Sequence, residues 1–169
     1  RANVAYFGTF GYELDLNLLS DAEMASVKKQ IAFMKEYREL LQVDGDFYRL
    51  LNPFEGNETA WMVVSQDKTQ AVAALYQRLN KVNASWLRLK LEGLDPDAKY
   101  QVSCDLTPSS SFDTELAKLY GYATEGNQVK TYEAYGDELM RAGIPVDRQD
   151  LNKKGGDFAS VLYTIKKVD

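Results

Sequence analysis

Histidine is absent from the 169 residues, and cysteine occurs once, at Cys104. Without histidine the chain cannot assemble a Ser/His/Asp triad, a Cys/His pair or the usual imidazole-based zinc sites. Acid/base work would fall to Asp, Glu, Lys, Tyr or the lone thiol. A single cysteine also excludes an internal disulfide framework, so nothing demands an oxidising compartment and a cytoplasmic setting is favoured. Clustered Lys and Arg are missing as well: the chain carries 20 basic and 25 acidic side chains, a net charge of -5. Nucleic acid and anionic membrane surfaces are therefore poor partners, because both need basic patches. No apolar run approaches the roughly 18 to 20 residues of a membrane span, and no secretory leader pattern opens the chain. A soluble protein is expected, whose partners are small neutral substrates or other proteins.

Nucleotide-binding signatures are missing too, with no GxGxxG, P-loop or CxxC in the sequence. The acidic runs "DGD" at 44–46, "LDPD" at 94–97 and "KGGD" at 154–157 lack EF-hand spacing and read as turns. Neither a metal nor a cofactor is expected. What is present is globular: 45% hydrophobic and 27% charged residues, with 4 Pro and 11 Gly, a composition that supports a packed core.

Two kinds of periodicity divide the chain. In the first part, residues 1 to about 7 read as a helix tail stopped at Gly8. "YELDL" then alternates Tyr12, Leu14 and Leu16 against Glu13 and Asp15, the period of a strand. Ser20 followed by Glu23 forms a capping box at a helix start. Met24, Val27, Ile31, Met34 and Leu41 then trace one apolar stripe, which predicts a helix over 21–41. Beyond Gly45 the period falls to two, with strands expected at 47–51, 60–65, 70–77, 86–91, 99–104, 137–140 and 158–165, separated by turn-forming residues. The interval 105–135, with a short helix expected at "DTELAKLYG", reads as an excursion on the sheets. The fold class is mainly β: an antiparallel β-sandwich over 46–169, preceded over 1–45 by one strand and one helix of a parallel α/β unit. A lone strand and helix cannot bury their apolar faces unaided. The opening "RANVAYFG", already patterned and without an initiating Met, reads as part of a longer protein.

The blocks "RANVAYFGTFGYELDLNLLSDAE", "QIAFMKEYRELLQ", "GDFYRLLNPFEGNETAWMVVSQDK", "LRLKLEGLDPDAKYQV", "YGDELMRAGI" and "DFASVLYTIKK" occur in the order found in bacterial α-galactosidases of glycoside hydrolase family 36, and the chain resembles their C-terminal end. The resemblance implies that 1–45 are the last strand and helix of a catalytic (β/α)8 barrel and that 46–169 are the sandwich that follows it. It further implies hydrolysis of terminal α-galactosides such as melibiose and raffinose, with retention, by two Asp residues that both lie upstream. No catalytic residue is then expected in this chain, and its partners are the catalytic barrel of the same protein, a galactoside bound by the parent, and a second copy in a homo-oligomer.

Glu13 and Asp15 nevertheless invite the question whether they are a glycosidase's paired acids. Same-face neighbours on a strand have Cα atoms about 6.5 to 7 Å apart, whereas a retaining pair needs carboxyls about 5 to 5.5 Å apart on opposite sides of the sugar. If the strand is the barrel's eighth, the two acids point inward and Tyr12, Leu14 and Leu16 face the outer helices. Two readings stay open: structural ion pairs with cations from other strands, or a position for Asp15 just behind the galactose pocket.

Trp86, on the charged face of "SWLRLKL", is read as an exposed aromatic contact. It could pack on another domain, meet a second subunit or stack on a sugar. The last of these would make the chain an autonomous carbohydrate-binding β-sandwich, the alternative function; a capped amphipathic helix over 21–41 speaks against a free-standing module. Trp61 is expected in the core, and Cys104 as a buried, inert thiol.

Overall fold

The computed structural model describes residues 1–81, 86–105, 129–146 and 157–168. Helix α1 (Ala2–Ala5) opens the chain, a 3-10 turn follows at Leu16–Leu18, and α2 runs over Asp21–Glu39. The Ser20 cap is reciprocal: Glu23 N–H donates to Ser20 Oγ at 3.3 Å, and Ser20 N–H donates to Glu23 Oε2 at 2.9 Å. Two donors that have no intrahelical partner are thereby satisfied. The helix does not stop at Glu39 but widens into a π-helical turn over Leu40–Asp44 before Gly45 turns the chain into the sheet. That wider turn points both Leu40 and Leu41 inward.

The sheet strands are β1 (Asp46–Leu51), β2 (Glu58–Val64), β3 (Gln70–Gln77), β4 (Leu87–Leu89), β5 (Lys99–Asp105), β6 (Val129–Tyr135), β7 (Ile144–Val146) and β8 (Ala159–Val168), with a short helix α3 (Gly136–Arg141) between β6 and β7. All pairings are antiparallel, as expected, but the strands are unevenly shared. Six form one sheet in the order β1-β2-β3-β8-β5-β6, and β4 pairs with β7 in a two-stranded ribbon. The last strand sits in the middle of the large sheet, between β3 and β5.

Alternation gives each face of the large sheet its own partner. Met62, Val64, Ala73, Leu75, Tyr100, Val102, Val161 and Ile165 point to one side, where Leu89 and Leu91, Ile144 and Val146 of the ribbon and Leu139 of α3 cover them. Val63 and Val72 point to the other side, where Tyr6, Met34, Tyr37, Leu40 and Leu41 cover them. The helix predicted from the capping box therefore packs on the sheet through Met34 and Leu41, while Met24, Val27 and Ile31 stay half-exposed. The alternation of their strands predicts that Leu87, Leu89 and Leu91, with Val161, Tyr163 and Ile165, face the core; all are buried except Leu87, which is half-buried.

Four expectations need correction. Residues 12–16 form no strand here: a strand requires a neighbour to pair with, and the segment lies beside helix α2 instead. Residues 137–140 are helical, because Asp137 and Glu138 occupy a first turn whose exposed N–H groups favour acidic side chains, and Leu139 turns into the core. Residues 129–135 belong to the sheet as β6, although they fell within the expected excursion. Trp61 is half-buried on the helix-facing side rather than a member of the core. The "TPSSS" loop and the helix expected at "DTELAKLYG" lie outside the described residues.

Candidate functional site

The segment Phe7–Leu19 crosses the surface of α2. It is held there by the Tyr12 hydroxyl, which donates to Gln30 Oε1, and by Gln42 Nε2, which donates to the Gly8 carbonyl. Tyr12 thus lies against α2, while Leu14 and Leu16 are exposed. Glu13 and Asp15 are exposed as well. Asp15 serves as the N-cap of the 3-10 turn, its Oδ1 accepting from the backbone N–H and the Nδ2 of Asn17, both at 2.9 Å. The two carboxylates lie on one connecting segment, on one side of anything that approaches it. Such an arrangement cannot flank a scissile bond from opposite faces.

Aromatic side chains join this segment to the helix and the sheet. Tyr6 stacks on Phe10 at 5.3 Å and meets Phe33 at 4.6 Å, and Phe33 stacks on Tyr37 at 4.6 Å. Phe7 places its edge on Trp61 at 6.0 Å, and Trp61 leans on Tyr76 at 4.6 Å. Burial pushes the Tyr6 and Tyr76 hydroxyls well above the ordinary tyrosine range, Tyr12 adding to the effect on Tyr6 and the nearby indole of Trp61 opposing it at Tyr76. Below strongly alkaline pH both therefore remain neutral donors. An open cleft of about 460 Å³ runs between the loop and α2, lined by Gly8, Phe10, Met34, Lys35, Arg38 and Gln42 among others. It holds cationic side chains and backbone but no carboxylate.

A second cavity, of about 310 Å³, lies on the ribbon side of the sheet among Trp86, Cys104, Lys130, Tyr132, Ile144 and Tyr163. Cys104 is buried, as expected, and Trp86 is 87% exposed at the rim. Burial pushes the Tyr132 hydroxyl up to about 12, with Glu138 adding to the shift and Arg88 opposing it. Lys130 and Tyr132 stand on β6, within the interval that reads from sequence as an excursion. The alternation in "VKTYEAY" was the signal that would have found them.

Among the described residues that line them, neither cavity presents the carboxylates that glycoside hydrolysis requires. Among the described residues no cluster of Cys, Asp and Glu could hold a metal ion. No described helix is long and apolar enough to cross a membrane. The structure brings together aromatic and aliphatic packing surfaces, and it leaves Glu13, Asp15 and Trp86 on the outside.

Comparison with known proteins accounts for both halves of the chain. The family model described as glycosyl hydrolase family 36 C-terminal domain matches residues 58–165, and the Melibiase model matches residues 1–44. The α-galactosidase AgaA of Geobacillus stearothermophilus is 39% identical over 168 residues, which is 99% of this chain and 19% of that protein. The crystal structure of α-galactosidase AgaB from the same organism superposes with a TM-score of 0.74 at 39% identity, again over 99% of this chain and 19% of the other. A substituted form of AgaA, solved in complex with raffinose, matches with a TM-score of 0.74 at 37% identity over 99% of this chain and 19% of its own length. The chain thus spans about a fifth of the relatives it matches.

Proposed function

Because the chain belongs to glycosyl hydrolase family 36, whose C-terminal domain model takes in residues 58–165, we propose that it is the C-terminal part of a cytoplasmic α-galactosidase that cleaves terminal α-galactosides of the melibiose and raffinose type. Residues 1–45 supply the last strand and helix of the catalytic (β/α)8 barrel, and 46–169 form the domain that follows it. The observation that carries this reading is the succession of matches: the Melibiase model ends at residue 44, where the π-helical turn ends, one residue before Gly45 turns the chain into the sheet. The exposed Leu14, Leu16 and Leu18 support it, since a barrel strand must bury its apolar side against neighbours. With those neighbours in place, Tyr12–Leu16 would pair as the eighth strand.

The chemistry then belongs to the parent. Retaining hydrolysis uses one carboxylate as nucleophile and a second as acid/base, on opposite sides of an oxocarbenium-like transition state. Both are upstream Asp residues in this reading, while Glu13 and Asp15 serve structurally and the domain over 46–169 closes and supports the barrel. Its exposed Trp86 is a contact for another domain or a second subunit. The test is to assay the parent and the 169-residue chain on an aryl α-galactoside and to follow the first-formed anomer by NMR. The parent should give the α-anomer and the isolated chain no turnover. Inversion by the parent, or turnover by the chain alone, would remove the proposal.

A further inference from the structure

One end of the large sheet carries apolar side chains that the described residues leave uncovered. Phe54 in the β1–β2 turn is 92% exposed, Leu79 after β3 is 52% exposed, and Phe158 before β8 is 81% exposed. Isolated exposed apolar residues are ordinary, but Leu79 and Phe158 stand on a hydrogen-bonded platform. Asn57, itself buried, donates from Nδ2 to the Leu79 carbonyl at 2.8 Å and accepts from Leu79 N–H at Oδ1 at 3.0 Å. Arg78 N–H donates to the Asn57 carbonyl at 2.9 Å, and Phe158 N–H donates to the Arg78 carbonyl at 2.8 Å. Asp157 accepts from Asn80 N–H at 2.6 Å. Leu79 and Phe158 are therefore fixed by backbone and buried amide hydrogen bonds, and Phe54 N–H donates to Asn52 Oδ1 at 3.1 Å within its turn.

Phe158 is held in a left-handed conformation, with φ of 59°. A bulky side chain gains nothing there from its backbone, and Asn or Gly would fit better. A strained backbone that displays an aromatic ring to solvent is a reason to look for what the ring meets.

Helix α1 identifies the occupant. Asn3 Nδ2 donates to Ser160 Oγ at 3.0 Å, and the Tyr76 hydroxyl donates to the Asn3 carbonyl at 2.5 Å. Ser160 is two residues from Phe158, and Tyr76 is three from Leu79. The start of the described chain is thus pinned at the same sheet end, and Val4 beside it is also exposed. Relatives are about five times as long as this chain, which spans 19% of them. A segment that leads into α1 is delivered to this surface at high effective concentration, whereas a separate molecule must pay for association.

We propose that Phe54, Leu79 and Phe158 form a docking surface for the upstream catalytic portion of the same polypeptide, fixing the C-terminal domain to the barrel in cis. The proposal rests on the parent being the longer enzyme, and its test separates the two. In the parent, hydroxyl-radical footprinting with mass spectrometry reads the modification rates of Phe54 and Phe158, while α-galactoside hydrolysis is assayed on the same sample. Both rings should be protected at least several-fold relative to a free phenylalanine, and that protection should not change on hundredfold dilution. Rates near those of the free amino acid would overturn the docking surface whether or not the sample is active. Protection that is lost on dilution would overturn it in favour of a second copy.

A second variant reads the same question by sign. Phe158→Asn relieves the left-handed backbone, so a ring that meets nothing predicts an unchanged or raised Tm in the parent. A ring buried against upstream structure predicts a lower Tm, the result expected. An unchanged or raised Tm overturns the proposal.

Discussion

Asn3 and Ser160 stand 157 positions apart in sequence, yet the amide of one donates to the hydroxyl of the other at 3.0 Å. The contact ties the first helix, inside the segment matched by the Melibiase model, to the central strand of the sheet matched by the C-terminal domain model. Near the other end of β8, Lys166 does the same, its Nζ lying 3.0 Å from Glu36 Oε1 and 5.4 Å from the centre of the Tyr37 ring. Both Lys166 and Glu36 are more than half exposed, so this pair contributes little on its own. The helix pair is held instead by the apolar layer between these two ties.

The Tyr76 hydroxyl reaches the same helix through the Asn3 carbonyl, from a position that is nearly buried. Tyr76→Phe should cost about 1 to 2 kcal/mol by leaving that carbonyl without its donor. Burial raises the folded-state pKa of Tyr76 and Tyr6 above the ordinary 10.0. For a group whose folded pKa is raised, the stabilisation is complete below the unfolded value and is lost as pH rises past it. Stability should therefore decline above pH about 10, and Tyr76→Phe should flatten that decline. Urea midpoints measured between pH 8 and 11.5 check both statements, and parallel slopes for variant and wild type would contradict the second.

Gly45 is the joint between helix and sheet. A Cβ built there would lie 2.1 Å from the Leu40 carbonyl oxygen and 2.1 Å from Val63 Cγ1. Neither the carbonyl nor the packed valine can retreat without opening the π-helical turn or the sheet. Gly45→Ala should cost about 3 kcal/mol, at the upper end for overpacking. Thermal unfolding reads the loss. A change in Tm within error would mean that the joint is looser than its packing.

What could be read in the sequence were the features that act locally. The Ser20 and Glu23 cap requires only residues three apart, and the alternation of Leu87, Leu89 and Leu91 shows which side is buried whatever the partner. Features that depend on a partner were not legible in the same way. Tyr12–Leu16 has the period of a strand, but no strand among the described residues stands beside it. "DELM" is too short for its pattern to tell strand from helix, and its acidic first turn suits the helix it forms. The alternation of β6 is hard to see because the interval that holds it begins with polar loop residues. The carboxylates were legible as a pattern, yet whether Glu13 and Asp15 meet a cation or a sugar depends on elements that only a longer chain provides.

Leu89, on the inner face of the ribbon, is fully buried in the same core as Met62, Leu75 and Ile144. Leu89→Ala should cost about 2 to 5 kcal/mol through lost transfer energy and the residual cavity. Its backbone carbonyl also lies 2.7 Å from where a Cβ on Gly143 would stand, and Gly143 has φ of 79°. The ribbon therefore has little room to collapse into the space left behind, which favours the upper half of that range. Chemical denaturation gives the value, and a cost below about 1 kcal/mol would imply that the cavity fills.

Asp15 is the residue at which a structural role and a catalytic role make different demands. As an N-cap it needs only an oxygen that accepts from Asn17, which an asparagine also offers. As a nucleophile or acid/base it needs a carboxylate, and replacement of an essential carboxylate costs on the order of 10⁴-fold in kcat. Asp15→Asn in the parent should therefore keep kcat for an aryl α-galactoside within about tenfold of wild type, against the roughly 10⁴-fold loss of an essential group. Asp15→Ala, which removes the cap, should lower stability by about 1 kcal/mol. Glu13→Gln should likewise leave turnover within the same tenfold limit, far from the loss of a reacting carboxylate. A fall in kcat of several thousand-fold on Asp15→Asn, with the Tm unchanged, would place that carboxylate among the reacting groups and would mean that the chemistry reaches into this chain after all.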